Sequence, residues 1–140
     1  MAVAPHGQLL TDLCPQLEKV IGPQPPVNPV DEALLRPRFH RAVIRFLQAL
    51  CQADHPVVIF LDDMQWINAD SSMLWQSVLS NPALKNLLVV GAYRGFVTGS
   101  ENLIYSLTHE AEKAGGRITH IELENLEWPL VQALVASTLS

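Results

Sequence analysis

Two adjacent aspartates, Asp62 and Asp63, are the residues of this sequence whose chemistry is most conspicuous. They end an apolar run in the stretch HPVVIFLDDMQW. Burying one unpaired carboxylate is costly, and two neighbouring carboxylates repel each other. The pair therefore either concentrates negative charge for a cation or serves as ordinary turn residues at the end of a strand. Taken alone, these residues leave both interpretations open.

Arg94 is the second candidate, because it closes another short apolar run, LLVVGAYR. If the two runs are neighbouring parallel strands, their carboxyl ends lie at one sheet edge, where ligands of open sheets bind. An acidic pair and a cation at that edge suit a phosphate ester with its magnesium ion. Asp62 would hold the metal through water, and Asp63 would orient or deprotonate an attacking water. Arg94 would contact a phosphate oxygen. The alternative is that Arg94 is a surface charge.

The strands and helices around these residues are predicted from the apolar pattern. Three short runs have the length and composition of strands: 57–62, 87–93 and 117–123. The first run is continuous and β-branched, which is typical of a strand buried on both faces. Helical patterns at about 70–80 and 101–114 separate the three runs. This alternation predicts an α/β fold with a parallel sheet of about three strands flanked by helices.

Helices also dominate the rest of the chain. An apolar stripe over 8–21 predicts a helix interrupted at Pro15, and 31–54 reads as one long helix with Pro37 near its start. Between them, the proline-rich segment 22–30 is expected to be a connector without helix or central strand. A final helix is predicted from Trp128, where Pro129 suits the first turn, and Gly115–Gly116 is expected to close the helix before it.

Composition limits the classes of function. The chain has 140 residues, of which 49% are hydrophobic and 16% charged, so a single packed domain over 1–140 is expected. A net charge of -5 argues against partners that are nucleic acids or membrane surfaces. The two cysteines, Cys14 and Cys51, lack metal-ligand spacing and are expected to be reduced, buried thiols.

Targeting signals are not visible in the sequence. The first residues, MAVAPHGQLL, lack a basic stretch followed by an apolar block. No apolar run approaches the roughly 20 residues that span a bilayer. We therefore expect a soluble, cytoplasmic protein.

The stretch VVIFLDDMQWINADSSMLWQSVL, followed by LLVVGAYR, closely resembles a known family. It is similar to the nucleotide-binding domain of the signal-transduction ATPases with numerous domains, which belong to the AAA-type P-loop superfamily and its origin-recognition-like class. The nearest likeness is to the ATPase segment of large serine/threonine kinase–histidine kinase hybrid proteins. The resemblance covers nearly the whole chain and implies a three-layer P-loop NTPase-type fold that uses ATP and Mg²⁺.

The resemblance also implies roles for individual residues. The aspartate matching Asp62 is the Walker B magnesium ligand in that family, and the one matching Asp63 helps to position the attacking water. The arginine matching Arg94 is the sensor that contacts the terminal phosphate. Gln65 and Trp66 match the family signature, and Trp66 is expected to be a packing residue rather than a catalytic one.

One departure from the family is severe. The phosphate-binding loop G-x-x-x-x-G-K-[ST] is absent, since the sequence contains no Gly–Lys dipeptide. In the family this loop lies upstream of the segment matching Gln8, so the chain is expected to be a partial domain without that loop and without the C-terminal helical part. The cradle of backbone N–H groups and the lysine supply much of the triphosphate binding. ATP is therefore expected as a partner only when the upstream loop is present.

The sequence is compatible with two functions and disfavours a third. The first is a fragment of an ATP-binding and hydrolysing module of a signalling protein, inactive alone, whose partners would be kinase or sensor domains of the parent protein. The second is a non-catalytic interaction module derived from such an ATPase. The third, a phosphoacceptor receiver domain, is disfavoured because the later strands end in Arg94 and Leu123 rather than in an aspartate and a lysine.

Overall fold

A computed structural model describes residues 5–26, 32–94 and 100–139 of the protein. The helices in this part of the chain are α1 (Gln8–Leu13), α2 (Glu18–Ile21), α3 (Glu32–Leu50), α4 (Ala69–Leu79), α5 (Ser100–Lys113) and α6 (Trp128–Thr138). The strands are β1 (Val57–Leu61) and β2 (Leu87–Gly91), and two short 3-10 turns occupy Pro15–Leu17 and Met64–Trp66. The described chain is therefore a mixed α/β unit.

The two strands form a parallel pair. Val57 is aligned with Leu87, and the register continues without a bulge to Leu61 opposite Gly91. Because parallel neighbours need a crossover connection, α4 between them completes a β–α–β unit. The prediction that the apolar runs at 57–62 and 87–93 are neighbouring parallel strands is confirmed, with slightly shorter bounds.

Only one face of this strand pair is covered. Val57, Ile59 and Leu87 pack against a core cluster that contains Leu47 of α3 and Val78 of α4. The side chains on the opposite face are apolar and exposed: Val58, Phe60, Leu88 and Val90. The expectation that the first strand is buried on both faces is wrong for the described residues, because α3 and α4 cover the same side.

The expected third strand at 117–123 is not a strand in the structure. The segment has no regular secondary structure, and the described sheet contains β1 and β2 alone. Ile121 and Leu123 are 80% and 89% exposed. A strand requires a partner for its backbone N–H and C=O groups, and an apolar pattern cannot provide one. The prediction of about three strands is therefore corrected to two.

The helical region before the sheet follows the prediction closely. The expected interruption at Pro15 is present, since α1 ends at Leu13 and a 3-10 turn precedes α2. Helix α3 runs through Pro37 as one helix and ends at Leu50 rather than at Asp54. Of the connector 22–30, residues 22–26 have no helix or strand, as predicted, and the remainder lies outside the described residues.

A second core cluster joins these helices. Leu10 of α1, Ile21 of α2 and Ala42 of α3 are buried together, and Phe39 and Phe46 pack against them. Helix α3 is amphipathic and contributes to both clusters, so it is the central element of the core. Cys51 is buried and Cys14 half-buried, and both are free thiols.

Glycine ends α5 as the sequence predicted. The N–H of Gly115 donates to the Glu112 carbonyl at 2.8 Å, and the N–H of Gly116 donates to the Ala111 carbonyl at 2.9 Å. These two bonds are those of a Schellman motif, which requires a left-handed residue. Gly115 supplies it with a φ of 88°.

None of the described helices is long and apolar enough to cross a membrane.

Candidate functional site at the carboxyl ends of the strands

The two aspartates form the turn that leaves β1. Both are exposed, and Oδ1 of Asp62 accepts the backbone N–H of Asp63 at 2.8 Å. Asp63 has a left-handed backbone, with φ 53° and ψ 39°. Aspartate adopts this conformation more readily than most residues with a side chain. The turn interpretation is therefore correct as a description of the backbone, and it leaves both carboxylates facing solvent.

Backbone hydrogen bonds continue past the ends of the strands. The N–H of Ala92 donates to the Leu61 carbonyl at 2.9 Å, and the N–H of Met64 donates to the Ala92 carbonyl at 2.9 Å. Gly91 lies beside Met64, and a Cβ at position 91 would collide with the Met64 sulfur. The absence of a side chain at Gly91 thus lets the turn after β1 close against the end of β2.

Gln65 is the residue of this turn whose importance the sequence did not reveal. It is only 6% exposed. Its Nε2 donates to Oδ1 of Asp63 at 2.7 Å, and its Oε1 accepts the backbone N–H of Arg94 at 3.2 Å. One amide thus contacts the residues after both strands. Its place in the apolar-to-acidic signature was visible in the sequence, but its burial was not.

Arg94 lies three residues beyond the end of β2 and is exposed. Its backbone is tied to the acidic turn through Gln65. Within the described part of the chain, its guanidinium makes no ion pair with Asp62 or Asp63. The structure therefore brings the three candidate residues to one edge of the strand pair without a direct contact between acid and base.

The segment after the turn is ordered by helix α4. The Oδ1 of Asn68 accepts the N–H of Ser71 at 2.8 Å, which is a regular N-cap. Trp66, which was expected to be a packing residue rather than a catalytic one, is 76% exposed and is not part of the core of the described residues. An exposed tryptophan beside an acidic turn is available for contact with a ligand or a partner.

The acidic turn offers few carboxylate donors for a magnesium ion. No group of three or more His, Cys, Asp or Glu side chains in the described residues could hold a metal ion. Magnesium, however, usually keeps several waters and takes only one or two protein carboxylates together with substrate phosphates. Asp62, exposed and directly after β1, fits that role. Such a metal would supply charge neutralisation of a phosphate there.

A cavity of about 340 Å³ lies elsewhere, among α1, α3 and α4. Its lining includes Phe39, His40 and the exposed ion pair of Arg36 with Asp70, whose Nη1 and Oδ1 are 2.6 Å apart. Burial and, next, the Arg36 charge lower the pKa of His40, whereas the Asp70 charge opposes this. The lining does not include Asp62, Asp63 or Arg94, so this cavity is separate from the strand-end site.

The parallel β–α–β unit places acidic residues directly after its first strand, and open α/β sheets bind their ligands at this end of the strands. The family model described as AAA ATPase domain matches residues 2–90 of the chain. This is more than half of the 140 residues, so the chain belongs to the AAA ATPase domain family. Proteins of this family bind ATP in general.

The matched segment contains β1, Asp62, Asp63, α4 and most of β2. It ends at Val90, so Arg94 lies four residues outside it. A comparison with curated proteins found no match. A comparison with solved structures also found none. The family assignment therefore rests on the match to residues 2–90.

Proposed function

We propose that this chain is the Walker B and sensor portion of an ATP-dependent switch module in a multidomain signalling protein. The observation that carries the proposal is the acidic turn after β1, which lies in the matched AAA ATPase segment. Gln65 joins this turn by hydrogen bonds to the backbone of Arg94. Kinase or sensor domains of the same protein are the proposed partners.

Each candidate residue has a proposed role. Asp62 would hold Mg²⁺ through water, as a carboxylate directly after a parallel strand does in the family. Asp63 would orient the attacking water, and Arg94 would contact the terminal phosphate. The exposure of all three residues supports these roles, since each side chain is accessible to a bound nucleotide.

We also propose that a polypeptide of these 140 residues does not bind ATP tightly or hydrolyse it. The sequence contains no Gly–Lys dipeptide, and none of the candidate residues replaces the cradle of backbone N–H groups that holds a triphosphate. Isothermal titration of the chain with Mg-ATP is the test. We expect no binding in the micromolar range, and micromolar affinity would overturn the proposal.

A second experiment tests the ATPase role itself. A strand and glycine–lysine loop fused ahead of residue 1 should restore Mg-ATP binding if the acidic turn is the missing loop's partner. The matched control carries the same fusion with the loop lysine replaced by alanine. Binding by neither fusion would contradict the ATPase role of the strand-end site.

The alternative function is a non-catalytic interaction module. The specific observation in its favour is the exposed apolar face formed by Val58, Phe60, Leu88 and Val90. Contiguous exposed apolar side chains commonly mark an interaction surface. Restored Mg-ATP turnover in the fused polypeptide would favour the ATPase, whereas restored binding without turnover would favour the interaction module.

A further inference from the structure

Gln65 connects the two strand ends through both polar atoms of its side chain. A carboxylate can only accept a hydrogen bond and a backbone N–H can only donate one, so the orientation of the amide is determined by its partners. Nε2 must face Asp63, and Oε1 must face the backbone N–H of Arg94. Both atoms are satisfied although the residue is almost completely buried.

The backbone around Gln65 is held on both sides. The N–H of Met64 is bonded to Ala92, and the N–H of Trp66 donates to the Asp63 carbonyl at 3.0 Å. The N–H of Ile67 in turn donates to the Met64 carbonyl at 3.0 Å. This 3-10 turn also contacts α5. Gln65 therefore cannot leave its partners by a simple rotation of an exposed loop.

The hydrogen bond from Gln65 restricts the side chain of Asp63, which is otherwise exposed to solvent. Gln65 engages its Oδ1, and no hydrogen bond in the described part of the chain engages its Oδ2. One oxygen of this exposed carboxylate is thus held by a hydrogen bond, and the other has none to the described residues. A side chain with a restricted rotamer orients a water or a ligand more effectively than a mobile one.

We propose that Gln65 is a positioning residue that fixes the Asp63 carboxylate and links it to the backbone of Arg94. The acidic and cationic strand ends then keep one mutual arrangement, and a change at one is transmitted to the other. The catalytic meaning of this link rests on the proposed function, in which Asp63 orients water and Arg94 contacts the terminal phosphate.

Nuclear magnetic resonance of the 140-residue chain tests the link without nucleotide. Asp63→Asn keeps the left-handed turn and removes the negative charge. In the otherwise unchanged chain, this substitution should shift the amide resonance of Arg94, 31 positions further along the sequence. In a Gln65→Leu background, the same substitution should shift the Arg94 amide resonance much less. An equal response in both backgrounds, or none in the unchanged chain, would overturn the proposal.

A second variant keeps both hydrogen bonds but exchanges donor and acceptor at the Asp63 end. In Asp63→Asn/Gln65→Glu the amide at position 63 can donate to the carboxylate at position 65, which still offers an oxygen to the Arg94 N–H. Hydrogen exchange at the Arg94 amide should be roughly fivefold faster in Gln65→Leu and nearly unchanged in the double variant. Equal acceleration in both variants would show a general loosening of the turn and would contradict the proposed link.

Gln132→Leu on the exposed helix α6 is the matched control, because it makes the same chemical change away from the strand ends. It should leave the Arg94 amide unaffected. Since no nucleotide or metal is needed, failure of these measurements would remove the role of Gln65 alone. Failure of Mg-ATP binding in the fused polypeptide would instead remove the proposed function and leave the link intact.

Discussion

Met64 and Ala92 are joined by a backbone hydrogen bond of 2.9 Å that lies beyond both strands. This bond extends the parallel pairing by one step into the two connecting segments. Asp62 and Asp63 precede Met64, and Arg94 follows Ala92 by two residues, so the bond holds together the two segments that carry the acidic and cationic residues. The candidate site is thus arranged by backbone pairing before any ligand is bound.

Substitutions at the three candidate residues should have different effects on Mg-ATP. In a polypeptide that joins a glycine–lysine loop to this chain, Asp62→Asn should abolish magnesium-dependent turnover. Asp63→Asn should retain nucleotide and lower turnover by about 100-fold, since general acid–base groups contribute effects of this order. Arg94→Ala should weaken discrimination between triphosphate and diphosphate by roughly 10-fold or more.

Steady-state hydrolysis and nucleotide titration together distinguish these outcomes. Arg117→Ala, which removes an exposed arginine away from the strand ends, is the matched control for Arg94. Turnover at the parental rate in all three variants would show that the site has been assigned to the wrong residues.

Gly115 is predicted to contribute to stability through its backbone alone. Its φ of 88° is unfavourable for residues with a Cβ, and an added Cβ would meet no atom within 4 Å. Gly115→Ala should therefore lower the free energy of unfolding by roughly 1–2 kcal/mol. Gly115→Asn should lower it less, because asparagine tolerates the left-handed region. Urea unfolding measures both, and equal losses would contradict the backbone explanation.

His40 should make stability depend on pH. Burial, followed by the Arg36 charge, lowers its pKa from the ordinary value of 6.5. As the pH falls below 6.5, the unfolded chain then binds more protons than the folded chain. The contribution of neutral His40 to the free energy of unfolding is therefore complete above pH 6.5 and is lost as the pH falls through the lower pKa of the folded state.

The urea midpoint measured from pH 7.5 downward should therefore decrease, and His40→Gln should reduce the decrease. His6, whose pKa is also lowered, chiefly by burial, would account for part of what remains. The exposed His120 provides the control His120→Gln. If His40→Gln left the slope unchanged, His40 would not be the responsible group.

The exposed face of the strand pair should bind an apolar dye and promote self-association. Val58→Thr with Leu88→Thr keeps strand-compatible side chains and should reduce both dye fluorescence and light scattering, with little change in stability. Ile59→Thr, on the face that packs against the core cluster, should instead destabilise the fold by about 1–3 kcal/mol. Comparable effects of the two changes would contradict the one-sided packing.

Amides of the segment 117–123 should exchange rapidly with solvent. The segment has no strand partner among the described residues, and Ile121 and Leu123 are largely exposed. The amides of Leu88 and Val90 within β2 should be protected by comparison, because the parallel register directs these two N–H groups toward β1. Protection of 117–123 equal to that of β2 would show that a third strand forms in solution.

Much of the fold could be predicted from local patterns. The apolar runs predicted β1 and β2, helical spacing predicted α3 to α5, and Gly115 predicted the end of α5. These signals work because they depend on residues that are close in sequence, namely side-chain periodicity and the conformational freedom of glycine. The acidic pair after β1 was visible for the same reason, since Asp62 and Asp63 directly follow the strand.

Other features of the fold depend on contacts between residues that are distant in sequence. The run at 117–123 has a strand-like composition but forms no strand, because pairing needs a second backbone at the right distance and no local pattern can supply it. Likewise, β1 reads as buried on both faces, yet α3 and α4 cover only one. Gln65 acquires its two partners because the register of β1 with β2 brings the backbone N–H of Arg94 within hydrogen-bond distance of the amide that also contacts Asp63. Contacts between residues distant in sequence depend on how the elements pack, which periodicity and composition do not encode.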